Sequence, residues 1–528
     1  MKRISILDCT LRDGGYCNQW KFGFENIKKI TQGLVESGAD IIECGFLTQN
    51  TTYDSDISKF NTLEEAARVI PANREGKMFV CMINYGEYNI EDLRDYDGTS
   101  IDGIRVAFHK KDLIPALEFC KKIKNKGYKV FIQAMVSLSY SDVEFIDLIH
   151  RVNEFKPYSF YIVDSFGVMK RKDLIRLFYL VEHNLSEGIS IGYHSHNNMQ
   201  LAYSNAQALA DVHTKRKIIF DSSVYGMGRG AGNLNTELFV EYLNDNMGTS
   251  YVLKPLLTII DEILTLFYQQ NYWGYSLPNY LSAKHNAHPN YAAYLDSKKT
   301  LTVEAMDELF AMMSDDKRSV YDKEYIEALY VKYMTTGHVQ ESHLTELKEM
   351  IVGKDVLIIA PGRSSLEERD KVIQCAQRKN VVTISLNFDY SECSTDFIFL
   401  SNLRRFRELD ANKRCKCIVT SNIPAVDVYL KTEYRNLLND EESVRDNSGM
   451  MLIKYLIQLG AHKVLLAGFD GYSVAPTQNF ANQKMNFYTQ KATFEAMNEG
   501  MTSILREYKK QIQIEYITTP KHIKLLDI

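Results

Sequence analysis

The stretch IGYHSHNNMQ, residues 191–200, sets two histidines one residue apart after an apolar run. On a strand, residues i and i+2 point the same way, so His194 and His196 would share a face while Ser195 faces oppositely. At a rise of about 3.3 Å per residue their Cα atoms lie about 6.6 Å apart, a separation from which two imidazoles can converge on one ion. Taken alone, the stretch reads first as two ordinary polar residues at a strand end. An acid nearby changes that reading. LDCTLRDGG follows the apolar run ISIL and brings Arg12 and Asp13 to the end of another strand. Where that strand lies beside the histidine strand, Asp13 completes an Asp-His-His set with positions left for substrate and water. Carboxylate and imidazole donors suit Mn²⁺, Co²⁺, Zn²⁺ or Fe²⁺, and Mg²⁺ less readily. The competing reading of Arg12 and Asp13 is a surface ion pair or a turn. A third stretch, YGMGRGAGN (225–233), holds glycines that let backbone approach a ligand closely, or that make only a flexible turn.

These residues need a scaffold. Eight β-branched runs recur through the first half: ISILDCT, ADIIECGF, KMFVCMIN, GIRVAFH, YKVFIQAMV, SFYIVDSFG, ISIGYHSH and KIIFDSSVYG. Between them stand helical patterns with apolar residues three and four apart, such as FENIKKITQGLVESG and DVEFIDLIHRVNEF. Eight strands alternating with helices over roughly 240 residues predict an α/β fold, a TIM (β/α)₈ barrel, in preference to an open doubly wound sheet. Polar residues cluster after the strands, on the face where barrel active sites sit. In a closed barrel the first strand pairs with the eighth and lies near the seventh. From about residue 251 to 347 the pattern turns helical and tyrosine-rich. Alternation resumes at Lys354 with KDVLIIAPG, NVVTISLNF, DFIFLSN, CKCIVTSN, HKVLLAGFDG and IQIEYIT, which predicts a Rossmann-like α/β domain. The expected domains are a barrel over 1–250, a small helical domain over 251–347 and the Rossmann-like domain over 348–528.

Together, LDCTLRDGG, GYHSHNN and GMGRGAGN, in this order and at these strand ends, resemble the DRE-TIM metallolyase superfamily. It includes 4-hydroxy-2-oxovalerate aldolase, HMG-CoA lyase, isopropylmalate synthase and homocitrate synthase. The resemblance covers about residues 1–245 and implies Asp13, His194 and His196 as ligands of a divalent metal, with Mn²⁺ first and Mg²⁺, Co²⁺ or Zn²⁺ as alternatives. It implies Arg12 as the arginine that stabilises an enolate, Asn233 as an asparagine beside the metal, and Ser165 in IVDSFG as a substrate contact. Glu43 in IIECGF stands where the family often has an acid; its other reading is a structural hydrogen-bond acceptor. WGYSLPNYLSAKHN resembles the aldolase segment with a substrate-facing tyrosine, making Tyr275 the candidate and Tyr291 a second, against helix packing for both.

The synthases usually continue the first motif as LRDGEQ and favour HNDxG after the second histidine. LRDGGYCNQW and HNNMQLAYSNA are closer to the aldolase and lyase branch. In the aldolases a histidine three positions after the metal aspartate is the base; Tyr16 stands there. A phenol ordinarily titrates near ~10, so Tyr16 is expected to serve as proton donor, or as base only with the metal and Arg12 nearby, and His285 or His288 to supply the base otherwise.

In the C-terminal region LIIAPGRSSLEERDKV is a strand, a turn and a helix start, where Ser364 or Ser365 could cap and Arg363 could help bind an anion. It is neither GxGxxG nor a Walker loop, which gives no support to nicotinamide or ATP binding. APGRSS, ISLNF and LGAHKVLLAGFDG weakly resemble Rossmann-like domains of bacterial surface-glycan proteins and pterin-pyrophosphokinase-like enzymes, with Gly362, Asn387 and Asp470 at predicted strand ends. A structural or oligomerisation domain is the alternative.

The bulk numbers frame this. At 528 residues more than one domain is expected. With 45% hydrophobic and 24% charged residues the balance is that of an ordinary soluble globular protein. A net charge of −5 and no long basic run argue against nucleic acid as the main partner. The 9 cysteines are scattered without a CxxC pair, as expected of free thiols in a reducing compartment. The start reaches acidic residues and glycines within a few positions, unlike a signal peptide, and no apolar run would span a bilayer. The expectation is a cytoplasmic, homo-oligomeric aldolase or lyase that is divalent-metal-dependent. Its partners are a 2-oxo acid and an aldehyde, with no nucleic acid and no membrane; it acts through a pyruvate-type enolate in a setting of surface carbohydrate synthesis. The alternatives are a Claisen-type acyl-CoA condensing synthase and a non-catalytic metabolite-binding or scaffold module.

Overall fold

The computed structural model describes residues 3–298, 301–335, 337, 339–340, 342–486, 489 and 491–523. The chain divides into two compact units, Met1–Ala293 with Ser314–Tyr321, and Tyr294–Met313 with Asp322–Ile528.

The first unit is built on eight parallel strands: β1 Ile4–Asp8, β2 Ile41–Leu47, β3 Met78–Asn84, β4 Gly103–Phe108, β5 Lys129–Ala134, β6 Ser159–Asp164, β7 Ser190–Ser195 and β8 Ile218–Ser222. The sheet closes because β1 pairs with β8, Ile4 opposite Ile218 through Asp8 opposite Ser222, and also with β2, Leu7 opposite Ile41. The expected (β/α)₈ barrel is therefore present. A two-residue strand, Lys59–Phe60, adds to the outer end of β2. It fits there because Gly45 stands at φ +148 within the irregular stretch of β2, where a Cβ would meet the carbonyl oxygen of Ser58 at 2.0 Å.

Helices return the chain between strands, and their starts are written in the sequence. Asp142–Phe155 begins at Ser141, whose hydroxyl accepts from the Glu144 amide while the Glu144 carboxylate accepts from Ser141 N–H. Leu63–Ala67 begins the same way with Thr62 and Glu65. Phe24–Ser37 ends at Gly38, φ +87, the left-handed residue that closes its last turn.

Strand alternation sorts the barrel interior into layers. Leu7, Ile41, Val80, Phe131, Tyr161, Val163 and Ile219 fill the lumen as one apolar cluster. The inward position on β7 below His194 is Gly192, where a Cβ would fall 2.3 Å from the Tyr161 ring, so only glycine leaves that ring its place. Above this apolar plug the inward residues are charged: Glu43 on β2, Arg105 on β4, His194 on β7 and Asp221 on β8, all buried.

The second unit holds a seven-stranded, wholly parallel sheet: β9 Asp355–Ile359, β10 Val381–Leu386, β11 Phe397–Leu400, β12 Cys417–Thr420, β13 Leu430–Thr432, β14 Lys463–Ala467 and β15 Gln513–Tyr516, in the order β13-β12-β11-β10-β9-β14-β15. Six of these correspond to the predicted runs. The sequence reading missed β13, three residues at one edge, too short to show a period. Among the described residues no helix is long and apolar enough to cross a membrane.

Candidate functional site

The turn after β1 delivers Arg12 and Asp13. Their amides donate to the Cys9 carbonyl at 3.1 and 2.8 Å, closing a tight turn. The two glycines that follow are steric requirements. A Cβ on Gly14 would meet the Thr10 carbonyl oxygen at 2.3 Å, and one on Gly15 would meet the Trp20 ring at 2.0 Å. Trp20 in turn donates its indole N–H to the Arg12 carbonyl at 2.7 Å.

Closure of the barrel brings this turn to the end of β7. Oδ2 of Asp13 lies 3.3 Å from Nε2 of His194 and 3.7 Å from Nε2 of His196. Arg12 stands beside it, Nη1 3.1 Å from the same oxygen and Nε donating to Glu43 at 2.9 Å. The four predicted residues Arg12, Asp13, His194 and His196 thus meet in one buried place. Oδ1 of Asp13, Nδ1 of His196 and Oδ1 of Asn233 are buried without a hydrogen-bond partner, while Oδ2 of Asp13 is ion-paired with Arg12. Orphaned acceptors converging with an imidazole edge are what a cation site requires. The donor set therefore fits a divalent metal held by Asp13, His194 and His196. Cys9 also brings its sulfur close to Asp13 and His194. That sulfur, however, donates to the Ser222 carbonyl at 3.2 Å, and burial pushes its titration well up, so it is present as a thiol.

Electrostatics distinguish the two histidines. Burial disfavours a charge on His194, but Asp13 and Asp221 outweigh it and raise its pKa. His196 has no such second carboxylate; burial, with Arg229 and His194 adding repulsion, pushes it down to about 3 against the pull of Asp13. It is neutral at physiological pH, with an imidazole lone pair to give. Burial alone would raise Asp13; Arg12, then His196 and His194, overcome that and hold it well below the usual carboxylate range.

The loop after β8 closes the other side. Asn198 ties it down, accepting from the Ala231 amide at 2.7 Å and donating to the Phe166 carbonyl at 3.1 Å. His196 and Asn233 form an antiparallel bridge, which sets Asn233 against the histidine pair. Gly230 and Gly232, at φ +68 and +82, permit this path.

Residues 3–259 match the family model described as HMGL-like. The match takes in the whole barrel and just under half of the chain. It is similar to 4-hydroxy-2-oxovalerate aldolase of Geobacillus genomosp. 3, 28% identical over 246 residues that cover 46% of this chain and 70% of that protein. It is also similar to the oxaloacetate decarboxylase of Mycobacterium tuberculosis, 26% identical over 242 residues, 45% of this chain and 69% of that one. The solved HMG-CoA lyase of Brucella melitensis is 17% identical and covers 51% of this chain and 98% of its own, with a TM-score of 0.40. The curated relatives are thus carbon–carbon lyases at low identity.

Other predicted residues of the barrel fall as follows. Tyr16 is 39% exposed, its ring beneath the guanidinium of Arg229 at 5.2 Å. Ser165 is buried and accepts from the Val136 amide at 2.9 Å. Tyr275 is 53% exposed, whereas Tyr291 is buried with its hydroxyl 2.8 Å from the carbonyl oxygens of both Lys317 and Val320. His288 is brought to Arg229, its Nε2 3.3 Å from Nη1; the His285 carbonyl accepts from Arg318. Sequence reasoning missed Arg105 and Asp221. Arg105 donates to Glu43 at 2.7 Å and pairs with Asp221, whose Oδ2 lies 3.0 Å from Nδ1 of His194. Glu43 is therefore the shared acceptor of two arginines. The available signal was a charge inside each apolar run, GIRVAF and IIFDSS.

Proposed function

We propose that the barrel is a divalent-metal-dependent aldolase or lyase that makes or breaks a carbon–carbon bond beside a 2-oxo acid. The observation that carries it is the Asp13 carboxylate, buried, with Oδ1 lacking a hydrogen-bond partner and with Nε2 of His194 and of His196 3.3 and 3.7 Å from Oδ2. The names of the relatives, an aldolase and a decarboxylase of 2-oxo acids, support the same class. Held by Asp13, His194 and His196, the ion, Mn²⁺ first, supplies Lewis acidity toward a 2-oxo acid, worth several kcal/mol of charge stabilisation.

The remaining work falls to the chain's own residues. Arg12, held by Glu43 and Asp13, keeps a fixed positive charge where the enolate oxygen gains its negative charge. In the cleavage direction the proton leaves the hydroxyl, the bond beside it breaks and its electrons pass to the 2-oxo acid as an enolate, which is protonated on carbon. Tyr16 is the proton carrier at the exposed side; His288 is not the base, since its Nδ1 accepts from the Asn290 amide and burial pushes it down to about 3. Ser165 and Asn233 line the substrate's path, and Tyr275 belongs to the accessory segment. The second unit we propose as a Rossmann-like domain in a surface-carbohydrate setting, on the resemblance carried by APGRSS, ISLNF and LGAHKVLLAGFDG.

The test is metal analysis of the purified protein with exchange of pyruvate methyl protons in D₂O. Exchange that requires metal and is lost in Asp13→Asn is expected. Stoichiometric metal with no exchange for any 2-oxo acid would overturn the reading.

A further inference from the structure

The arginines of the barrel mouth are not alike. Arg12 is answered by Asp13 at 3.1 Å and Glu43 at 2.9 Å, and Arg105 by Glu43 at 2.7 Å and by Asp221. Arg229, in the glycine loop after β8, pairs with no carboxylate among the described residues. Its Nη1 faces Nε2 of His288 at 3.3 Å, its Cζ lies 5.2 Å from the Tyr16 ring centroid, and its Nε is buried without a hydrogen-bond partner. A half-buried guanidinium with an idle N–H is costly unless something completes it.

His288 does not complete it. Nδ1 of His288 accepts from the Asn290 amide at 3.2 Å, which places the proton of a neutral ring on Nε2. Burial, then Arg229, pushes this histidine down to about 3, so the ring is neutral. Nε2–H of His288 and the N–H of Arg229 then face each other donor to donor. Tyr16 offers only the face of its ring. Two converging donors, one of them charged, are complementary to an oxygen of an anion that accepts from both.

The position is built. The Gly228 carbonyl accepts from Sγ of Cys17 at 3.3 Å, the Ala231 amide donates to Asn198 at 2.7 Å, and the Gly232 carbonyl accepts from the Asn197 amide at 2.8 Å. Both flanks of Arg229 are thereby fixed to the turn after β1 and the loop after β7, so little ordering remains to be done on binding. The same loop carries Asn233, whose backbone bridges to His196, and so joins this anchor to the candidate metal set.

We propose that Arg229, with Nε2–H of His288, binds a second anionic group on the substrate, a carboxylate or phosphate at the end remote from the 2-oxo acid. This rests on the reading of the barrel as one that acts on 2-oxo acids. It makes the substrate a dianion or more, and the aldehyde partner a charged one, such as a semialdehyde acid or an aldehyde phosphate.

Two measurements on the full-length, metal-loaded protein test it. By calorimetry, 2-oxoglutarate is compared with its monoanionic isostere, in which an isopropyl group replaces the distal carboxylate. Wild type is expected to prefer the diacid by about 10–100-fold, Arg229→Gln to lose the preference, and Arg229→Lys to keep part of it. Equal affinity of wild type for both acids, or an unchanged preference in Arg229→Gln, overturns the proposal. In the second, pyruvate addition is followed to succinic semialdehyde against butanal and to glyceraldehyde 3-phosphate against glyceraldehyde. The pair with the larger preference identifies carboxylate or phosphate, and no preference in either overturns the proposal. Absence of pyruvate exchange in wild type would be a failure of the aldolase reading; the calorimetric comparison still decides Arg229.

Discussion

Oδ2 of Asp221 serves two buried partners at once: it lies 3.0 Å from Nδ1 of His194 and forms an ion pair with Arg105. The carboxylate fixes the Nδ1–H tautomer of His194 and so turns Nε2 toward Asp13. Asp221→Asn keeps the shape but removes the charge that orients the ring. Metal affinity is expected to fall by about 10–100-fold, the usual cost of losing such a partner. Titration with Mn²⁺ measures it, and an affinity equal to wild type would show that the contact is only packing. Asp221→Ala goes further, since it strips one of the two carboxylates from fully buried Arg105. A loss of about 3–5 kcal/mol of stability is expected.

Gly192 and Tyr161 make a second, purely steric prediction. With a Cβ 2.3 Å from the ring, Gly192→Ala forces Tyr161 aside, and the ring now sits 5.0 Å from the Arg105 guanidinium. Overpacking of this kind costs about 1–3 kcal/mol. Trp20 and Trp273, the chain's two tryptophans, both lie in the first unit, so fluorescence during denaturant unfolding reports that unit. A midpoint unchanged from wild type would mean that the barrel lumen gives more readily than its packing implies.

The barrel was legible because each strand is an apolar run and each helix an apolar stripe, and the two periods do not mimic each other. The pair His194 and His196 was legible for the same reason: two residues apart on a strand share a face, and closure of β1 on β8 set Asp13 beside them. What pairs with what across the lumen was not. That Glu43 accepts from both Arg12 and Arg105 depends on the relative register of three strands, which no local period encodes. Arg229 was hidden in a glycine-rich stretch whose composition reads as a turn; only the Asn290–His288 hydrogen bond shows that its neighbour is a donor.

Asp8, at the end of β1, sets a pH dependence of stability. Burial raises it from its ordinary 3.8 to about 6, against the hydrogen bonds from Thr10 and Thr236 that pull the other way. A carboxyl raised in the folded state binds its proton more tightly there than in the unfolded chain. Stability is therefore highest below the unfolded value and is lost as pH rises toward about 6, after which the full cost remains. Asp8→Asn removes that cost, and an amide still reaches the Thr236 hydroxyl, which lies 2.8 Å from the Ser222 hydroxyl. The variant should gain on wild type as pH rises from about 4 to 6, by at most about 3 kcal/mol in the neutral limit. Parallel unfolding curves across that range would mean that Asp8 is ionised without penalty.

Metal removal separates the Asp13, His194 and His196 set from a coincidence of polar side chains. An ion bound only by the folded barrel stabilises it by about 2.7 kcal/mol at a concentration 100 times its dissociation constant. Wild type treated with a chelator should melt lower and recover on addition of Mn²⁺. In Asp13→Asn the upward shift with Mn²⁺ should vanish, because the amide removes the only charged oxygen among the three donors. His196→Ala should weaken the shift through loss of a neutral nitrogen ligand. His194→Ala should do more, since it also leaves Asp221 without the imidazole at 3.0 Å and Asp13 without the one at 3.3 Å. A shift of full size in Asp13→Asn would place the ion elsewhere, and full-size shifts in all three variants would deny these residues any part in holding it.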